Sequence, residues 1–186
     1  MSLQVTYDGQ RWSNAESDRI EICSYSPSWP ARFAEEAAAI HRVLGDGFSY
    51  SLEHVGSTAV PGLVAKPIID DIVIIVPDRE RWLFLIEPLQ RLGYVYWADN
   101  PDKSKMFFVK GMSPFGTGRT HHVHVHTPAD ARATLCFRDY LVGHPEEAVR
   151  YAALKRELAA RFPTDRDAYT QSKAEFVREM LQKAEQ

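Results

Sequence analysis

Residues 67–76 read Pro67-Ile68-Ile69-Asp70-Asp71-Ile72-Val73-Ile74-Ile75-Val76. The run is β-branched almost throughout, and such side chains fit a pleated surface, so it predicts a central strand covered on both faces. Two aspartates in its middle require a reason, because a carboxylate among apolar side chains is costly unless it is paired, hydrogen-bonded or metal-bound. Strict alternation places Asp70 and Asp71 on opposite faces, where they do not easily share one metal. For Asp70 the simplest structural role is a salt bridge to Arg119 or Lys66.

Toward the N-terminus, residues 20–23 alternate apolar and polar. Ser28-Trp29-Pro30 then opens an amphipathic helix whose apolar positions Phe33, Ala37, Ile40 and Leu44 run to a stop at Gly45. Residues 48–55 read as a strand that delivers Gly56-Ser57-Thr58. Toward the C-terminus, Trp82, Leu85, Ile86 and Leu89 recur at helical spacing, with Pro88 an obstacle inside the pattern and Gly93 its stop. Strands are predicted over residues 94–97, 105–110 and 120–127, with a Gly/Pro loop over 111–118. From Ala129 the pattern is helical. Breaks at Gly143-His144-Pro145 and Pro163 divide it into three helices, Thr164 and Asp167 have capping-box form, and Tyr151, Leu154, Leu158 and Phe162 make an apolar stripe. The order predicts an α/β (α+β) fold, a mixed β-sheet core with flanking helices and a C-terminal helical segment. Residues 1–19 are polar and unpatterned and read as a flexible N-terminal arm, leaving residues 20–186 as a single domain.

The chain has 186 residues, enough for one sizeable core and short for two. Its net charge of −3 is unevenly spread: residues 1–53 carry 4 basic and 8 acidic side chains, residues 54–128 carry 8 and 7, and the remainder is balanced. No segment has the basic excess of a protein that neutralises many phosphates, which excludes broad nucleic-acid binding and leaves a small anionic ligand. Cys23 and Cys136 have no metal-ligand spacing and read as buried thiols. No apolar segment resembles a leader or a membrane span, so the expectation is a cytoplasmic protein.

Two stretches carry chemistry. A Gly56-Ser57-Thr58 turn after a strand can aim backbone N–H groups and two hydroxyls at phosphate, best when a helix N-terminus comes next, and Lys66 and Arg119 add charge. By itself such a turn is usually only a turn; its context is Asp70, where a carboxylate could hold Mg²⁺ beside that phosphate. The second stretch is Arg119-Thr120-His121-His122-Val123-His124-Val125-His126. Period 2 places His122, His124 and His126 on one face and Val123 and Val125 toward the core. Histidines at i and i+2 can ligate a metal or move a proton, and His122 and His124 are the candidates; an exposed polar sheet face is the plainer alternative, and His126 adjoins Thr127-Pro128 and reads as the strand's end.

With its His54-Val55-Gly56-Ser57-Thr58-Ala59-Val60-Pro61-Gly62, Ala65-Lys66-Pro67-Ile68-Ile69-Asp70, His121-His122-Val123-His124-Val125 and Phe137-Arg138-Asp139-Tyr140-Leu141 stretches, the chain resembles the GrpB family over roughly residues 20–183. The family is placed in the nucleotidyltransferase superfamily. The resemblance implies a nucleotidyltransferase-like core in which Gly56 and Ser57 open a helix under a triphosphate and Asp70 is the first carboxylate of a D-x-D pair. Ile72 stands where the second carboxylate belongs, and His122 and His124 where a third is expected, so two-Mg²⁺ transfer is not matched. A single divalent metal (Mg, Mn or Zn) on Asp70, His122 and His124 fits better. Arg138, Lys155 and Lys173 would cover the cleft and touch substrate, against the ordinary reading of solvated charge on helix faces. Two functions are implied. One is nucleotidyl or phosphoryl transfer, or action on a phosphorylated small molecule, with one metal ion; the other is a catalytically inactive nucleotide- or phosphometabolite-binding domain. GrpB-like domains fused to dephospho-CoA kinase add a link to coenzyme A metabolism.

Overall fold

The β-branched run forms the second strand of a five-stranded sheet. The computed structural model describes residues 19–112 and 118–186, without the side chain of Asp70. The elements are α1 (Trp29–Leu44), β1 (Ser51–His54), a 3-10 turn (Ser57–Ala59), β2 (Ile69–Ile75), a 3-10 segment (Arg79–Leu85), α2 (Ile86–Arg91), β3 (Tyr94–Tyr96), β4 (Met106–Lys110) and β5 (His121–His126). Helices α3 (Pro128–Gly143), α4 (Pro145–Arg161), α5 (Arg166–Gln171) and α6 (Ala174–Ala184) complete the chain. The sheet order is β1-β2-β5-β4-β3, with β2 and β5 parallel and the other neighbours antiparallel. This is the mixed sheet with flanking helices that the pattern predicts. The arm expected over residues 1–19 lies, but for Arg19, outside the described residues, as does most of the loop between β4 and β5.

One sheet face buries Ile69, Ile72, Ile74, Val123, Val125 and Phe108 with Trp29 and Ile40 of α1 and Leu89 of α2. The other buries Val55 and Val73 against Ala131 of α3. Beyond α3, the C-terminal helices pack Leu141, Tyr151, Phe176 and Met180 against Val60, Leu63 and Val64.

Several local readings are corrected. The alternating residues 20–23 contribute a single bridge, Cys23 with Ala65. The helix expected around Trp82 is a 3-10 segment leading into α2, which starts at Ile86 so that Pro88 falls in the first turn, where its missing N–H breaks no helical bond. The C-terminal segment has four helices, α5 and α6 being separated at Ser172-Lys173. The cap of α5 is Asp165, whose carboxylate accepts from the Ala168 N–H at 2.9 Å, and not Thr164. Both cysteines are free and only half-buried. On α1 the buried face includes Glu36, 7% exposed, whose two oxygens accept from Lys110 Nζ at 2.8 and 2.7 Å. That pair ties α1 to the end of β4.

Candidate functional site

Strand β1 runs antiparallel to β2 and delivers Gly56 beside the start of β2, with the Val55 N–H donating to the Asp71 carbonyl at 3.0 Å. Gly56 has φ 70° and ψ −170°, a region open essentially to glycine alone. Gly56→Ala is therefore expected to destabilise the fold by about 1–3 kcal/mol, read as a lowered urea midpoint. After Gly56 the chain makes one 3-10 turn and not the helix that the resemblance implies, so no helix dipole acts here. Thr58 is fully buried with its hydroxyl 2.9 Å from His54 Nε2, which takes it out of the predicted phosphate-binding set.

Between Ile69 and Ile72 the β2–β5 register slips: Ile69 pairs with His121 and Ile72 with Val123, so β2 carries an extra residue. Asp71 sits in this bulge at φ 70°, a left-handed conformation that aspartate tolerates better than most residues. Ile69 and Ile72 both face the core across it. Asp71, next to Ile72, lies on the opposite face with Val73, and its Oδ1 is 2.8 Å from His124 Nε2. The resemblance selects Asp70 and so leaves Asp71 out of the predicted site residues; the signal that could have found it is alternation back from Ile72 and Val73, which sets Asp71 on the face of His124.

The histidines take the faces predicted by period 2. Val123 and Val125 are buried in the core, while His122, His124 and His126 lie on the opposite face. Phe107 of β4 stacks on His124 at 4.6 Å and meets His122 edge-on at 5.2 Å. The Nδ1 atoms of His124 and His126 are buried with no hydrogen-bond partner among the described residues.

Gly56, Ser57 and Asp71 line a cavity of about 200 Å³ with Thr134 and Phe137 of α3, Tyr151 of α4 and Lys173. That volume suits a phosphate group and its immediate neighbours and falls short of enclosing a drug-sized ligand. Of the predicted cations, Lys173 reaches this cavity. Lys155 is 2% exposed, which overturns the solvated-charge alternative for it; it lies beneath Ser57, donating to Ser57 Oγ at 2.8 Å and to the Val64 carbonyl. Arg138 clamps α3 to β1 through Glu53 Oε2 at 2.8 Å and the His54 carbonyl at 2.9 Å. Lys66 and Arg119 stand half-buried just before β2 and β5, outside the cavity wall.

Metal ligation by Asp70, His122 and His124 turns on the Asp70 side chain, which lies outside the described residues. Among those described, no group of three or more His, Cys, Asp or Glu side chains is arranged to hold a metal. Asp71 and His124 nevertheless fit two sites on one ion: ligands bonded at about 2.0–2.2 Å and at right angles lie about 3 Å apart, close to the 2.8 Å observed. Two protein ligands, one of them an imidazole, suit an ion that keeps waters, takes substrate phosphate and accepts nitrogen, such as Mn²⁺, better than a closed zinc site.

Burial sets the histidine protonation around the site. His54, stacked on Phe33 at 4.5 Å, is pushed down to about 4 by burial and then by the Arg138 charge, against the opposing pull of Asp71. His121 and His126 are likewise lowered to about 4, chiefly by burial. Each lies below the ordinary value of 6.5, so the unfolded chain binds these protons more readily. Stability is expected to be full above pH 6.5 and to fall as the pH drops toward 4, with net proton uptake on unfolding. Urea midpoints measured across that window check this; a midpoint that is flat or rises on acidification contradicts it.

Comparison with known proteins gives consistent matches. A family model described as GrpB protein matches residues 19–183. A UPF0157 protein of Pseudomonas aeruginosa is 54% identical over 180 residues, 96% of this chain and 73% of that protein. The UPF0157 protein YqkA of Bacillus subtilis is 37% identical over 86% of this chain and 46% of its own length. A dephospho-CoA kinase of Mycolicibacterium paratuberculosis is 30% identical over 89% of this chain and 46% of its own length. The crystal structure of conserved protein GrpB from Enterococcus faecalis superposes with a TM-score of 0.76 at 34% identity, covering 88% of this chain and 96% of that one. Among the described residues, no helix is long and apolar enough to cross a membrane.

Proposed function

The chain belongs to the GrpB family, and on that premise we propose that it binds a phosphate-bearing small molecule in the Ser57–Asp71 cavity and transfers a nucleotidyl or phosphoryl group with one divalent ion. The observation that carries this reading is the Asp71–His124 contact, which joins an imidazole to the carboxylate that lines the cavity with Ser57. Ser57 offers its hydroxyl and Lys173 its charge to the phosphate. Asp71 and His124 would hold the ion, which when bound would supply positive charge to the phosphate. The cavity's size leaves the remainder of a nucleotide outside it, over α3 and α4. The relative named dephospho-CoA kinase supports an adenine-nucleotide or coenzyme A-related metabolite as the ligand class.

A second reading, binding without chemistry, is favoured by Ile72. It is fully buried in the core on the sheet face away from α3, so a second carboxylate is missing and its position faces away from the cavity. Titration with ATP and Mn²⁺, with an assay for released phosphate or pyrophosphate, separates the two: group transfer predicts turnover, and silent binding predicts affinity alone. His124→Ala, which removes a ligand, is expected to weaken Mn²⁺ binding by about 100-fold or more, beyond the loss of an outer partner, with an unchanged circular dichroism spectrum. Unaltered Mn²⁺ affinity in that variant contradicts the proposed ion site.

A further inference from the structure

Lys155 is a buried cation to which group transfer assigns no task. It lies in the middle of α4, yet its side chain runs under the Gly56-Ser57 turn, 98 residues distant in sequence from Ser57. A lysine that is 2% exposed must find polar partners or neutralise. It donates to Ser57 Oγ at 2.8 Å and to the Val64 carbonyl, and its Nζ stands 4.7 Å from the Tyr151 ring centroid. A carbonyl can only accept and a ring face attracts cations, so both surroundings favour the protonated donor.

We propose that Lys155 is a positioning residue that acts through Ser57, orienting its hydroxyl as a donor into the cavity for a phosphate oxygen. A serine hydroxyl has one hydrogen and two lone pairs. Once an ammonium occupies a lone pair from below, the hydroxyl hydrogen is directed elsewhere, and Ser57 lines the cavity above. The charge also polarises the O–H, so that its bond to an anion strengthens the bond from Lys155 in turn. The same cation pins Val64 and hence the far end of the loop after the 3-10 turn, holding the turn at both ends. Lys155 thus serves phosphate recognition without touching phosphate, unlike Lys173, which reaches the cavity itself.

This role rests on the reading of the cavity as a phosphate site, and its test uses inorganic pyrophosphate with the full chain. Ser57→Ala and Lys155→Met are each expected to weaken pyrophosphate binding about 10- to 100-fold, the worth of a hydrogen bond to a charged group. The double variant is expected to bind no more weakly than the worse single variant, because both remove one donor. Since Lys155→Met removes a buried cation and can fail to fold, a second measurement uses the side-chain ammonium resonance of Lys155 in ¹⁵N-lysine-labelled protein. Pyrophosphate should shift that resonance in the wild type and leave it in place in Ser57→Ala. Additive losses, an unchanged affinity in Ser57→Ala, or a Lys155 resonance indifferent to saturating pyrophosphate overturn the role given to Lys155. A wild type that does not bind pyrophosphate overturns the reading of the cavity as well.

Discussion

Asp71→Asn is expected to lower the divalent-ion affinity of the cavity by about 100-fold or more, beyond the 10- to 100-fold that accompanies loss of a ligand's outer partner. The substitution is chosen for its backbone. Asparagine tolerates the left-handed conformation that Asp71 adopts at φ 70°, so the bulge in β2 and its hydrogen bond to Val55 remain. Its amide can still approach His124, but it has lost the charge that attracts a cation. Asp71→Ala would remove the same charge while also straining the bulge, and a loss of binding there would be ambiguous. Mn²⁺ titration of the wild type and Asp71→Asn at matched thermal stability checks the expectation. Equal affinities would mean that the carboxylate is not an ion ligand.

The largest stability effect is expected at Lys110→Met. Glu36 is 7% exposed, and both of its oxygens accept from Lys110. Without Lys110 the carboxylate is left buried and unpaired, at a cost of about 3–5 kcal/mol. Tyr94, whose hydroxyl burial and then the Glu36 charge hold well above the ordinary range, stays neutral and can only ease that charge as a donor. Glu36→Gln should cost less, since the side chain of Lys110 is 25% exposed and can reach water. Glu36→Leu combined with Lys110→Met should recover much of the loss, as buried pairs replaced by apolar side chains often do. Urea unfolding of the three proteins reads the order. A Lys110→Met protein as stable as the wild type would show that the pair carries no weight.

The parts of the molecule legible in the sequence are those that depend on local period. The β-branched run around Ile72 becomes β2, and alternation along residues 121–126 correctly separates the core valines from the histidine face. What period cannot express is a residue out of step. The bulge turns both Ile69 and Ile72 to the core, while Asp71 keeps step with Val73 and meets His124. The partner of a buried charge is equally hidden, because it is remote: Glu36 finds Lys110 at a separation of 74 residues, and Lys155 finds Ser57 at 98. A helical wheel sets Glu36 beside Phe33 and Ile40, and Lys155 between Tyr151 and Leu158, but does not say what pairs with either. The Gly56-Ser57-Thr58 turn is recognisable as a motif, but only tertiary packing separates its half-buried Ser57, on the cavity, from its fully buried Thr58, bonded to His54. The basic residues divide in the same way into Lys173 at the cavity, Lys155 beneath it and Arg138 in a clamp.

Whether one ion and one phosphate group meet between Ser57 and His124 is decided by a crystal structure with Mn²⁺ and ATP, using the anomalous signal of manganese. A peak is expected about 2.0–2.2 Å from both Asp71 Oδ1 and His124 Nε2, with phosphate oxygens against the Ser57 hydroxyl and Lys173. A manganese peak elsewhere, or a triphosphate that leaves Ser57 and Asp71 untouched, would contradict the proposed site.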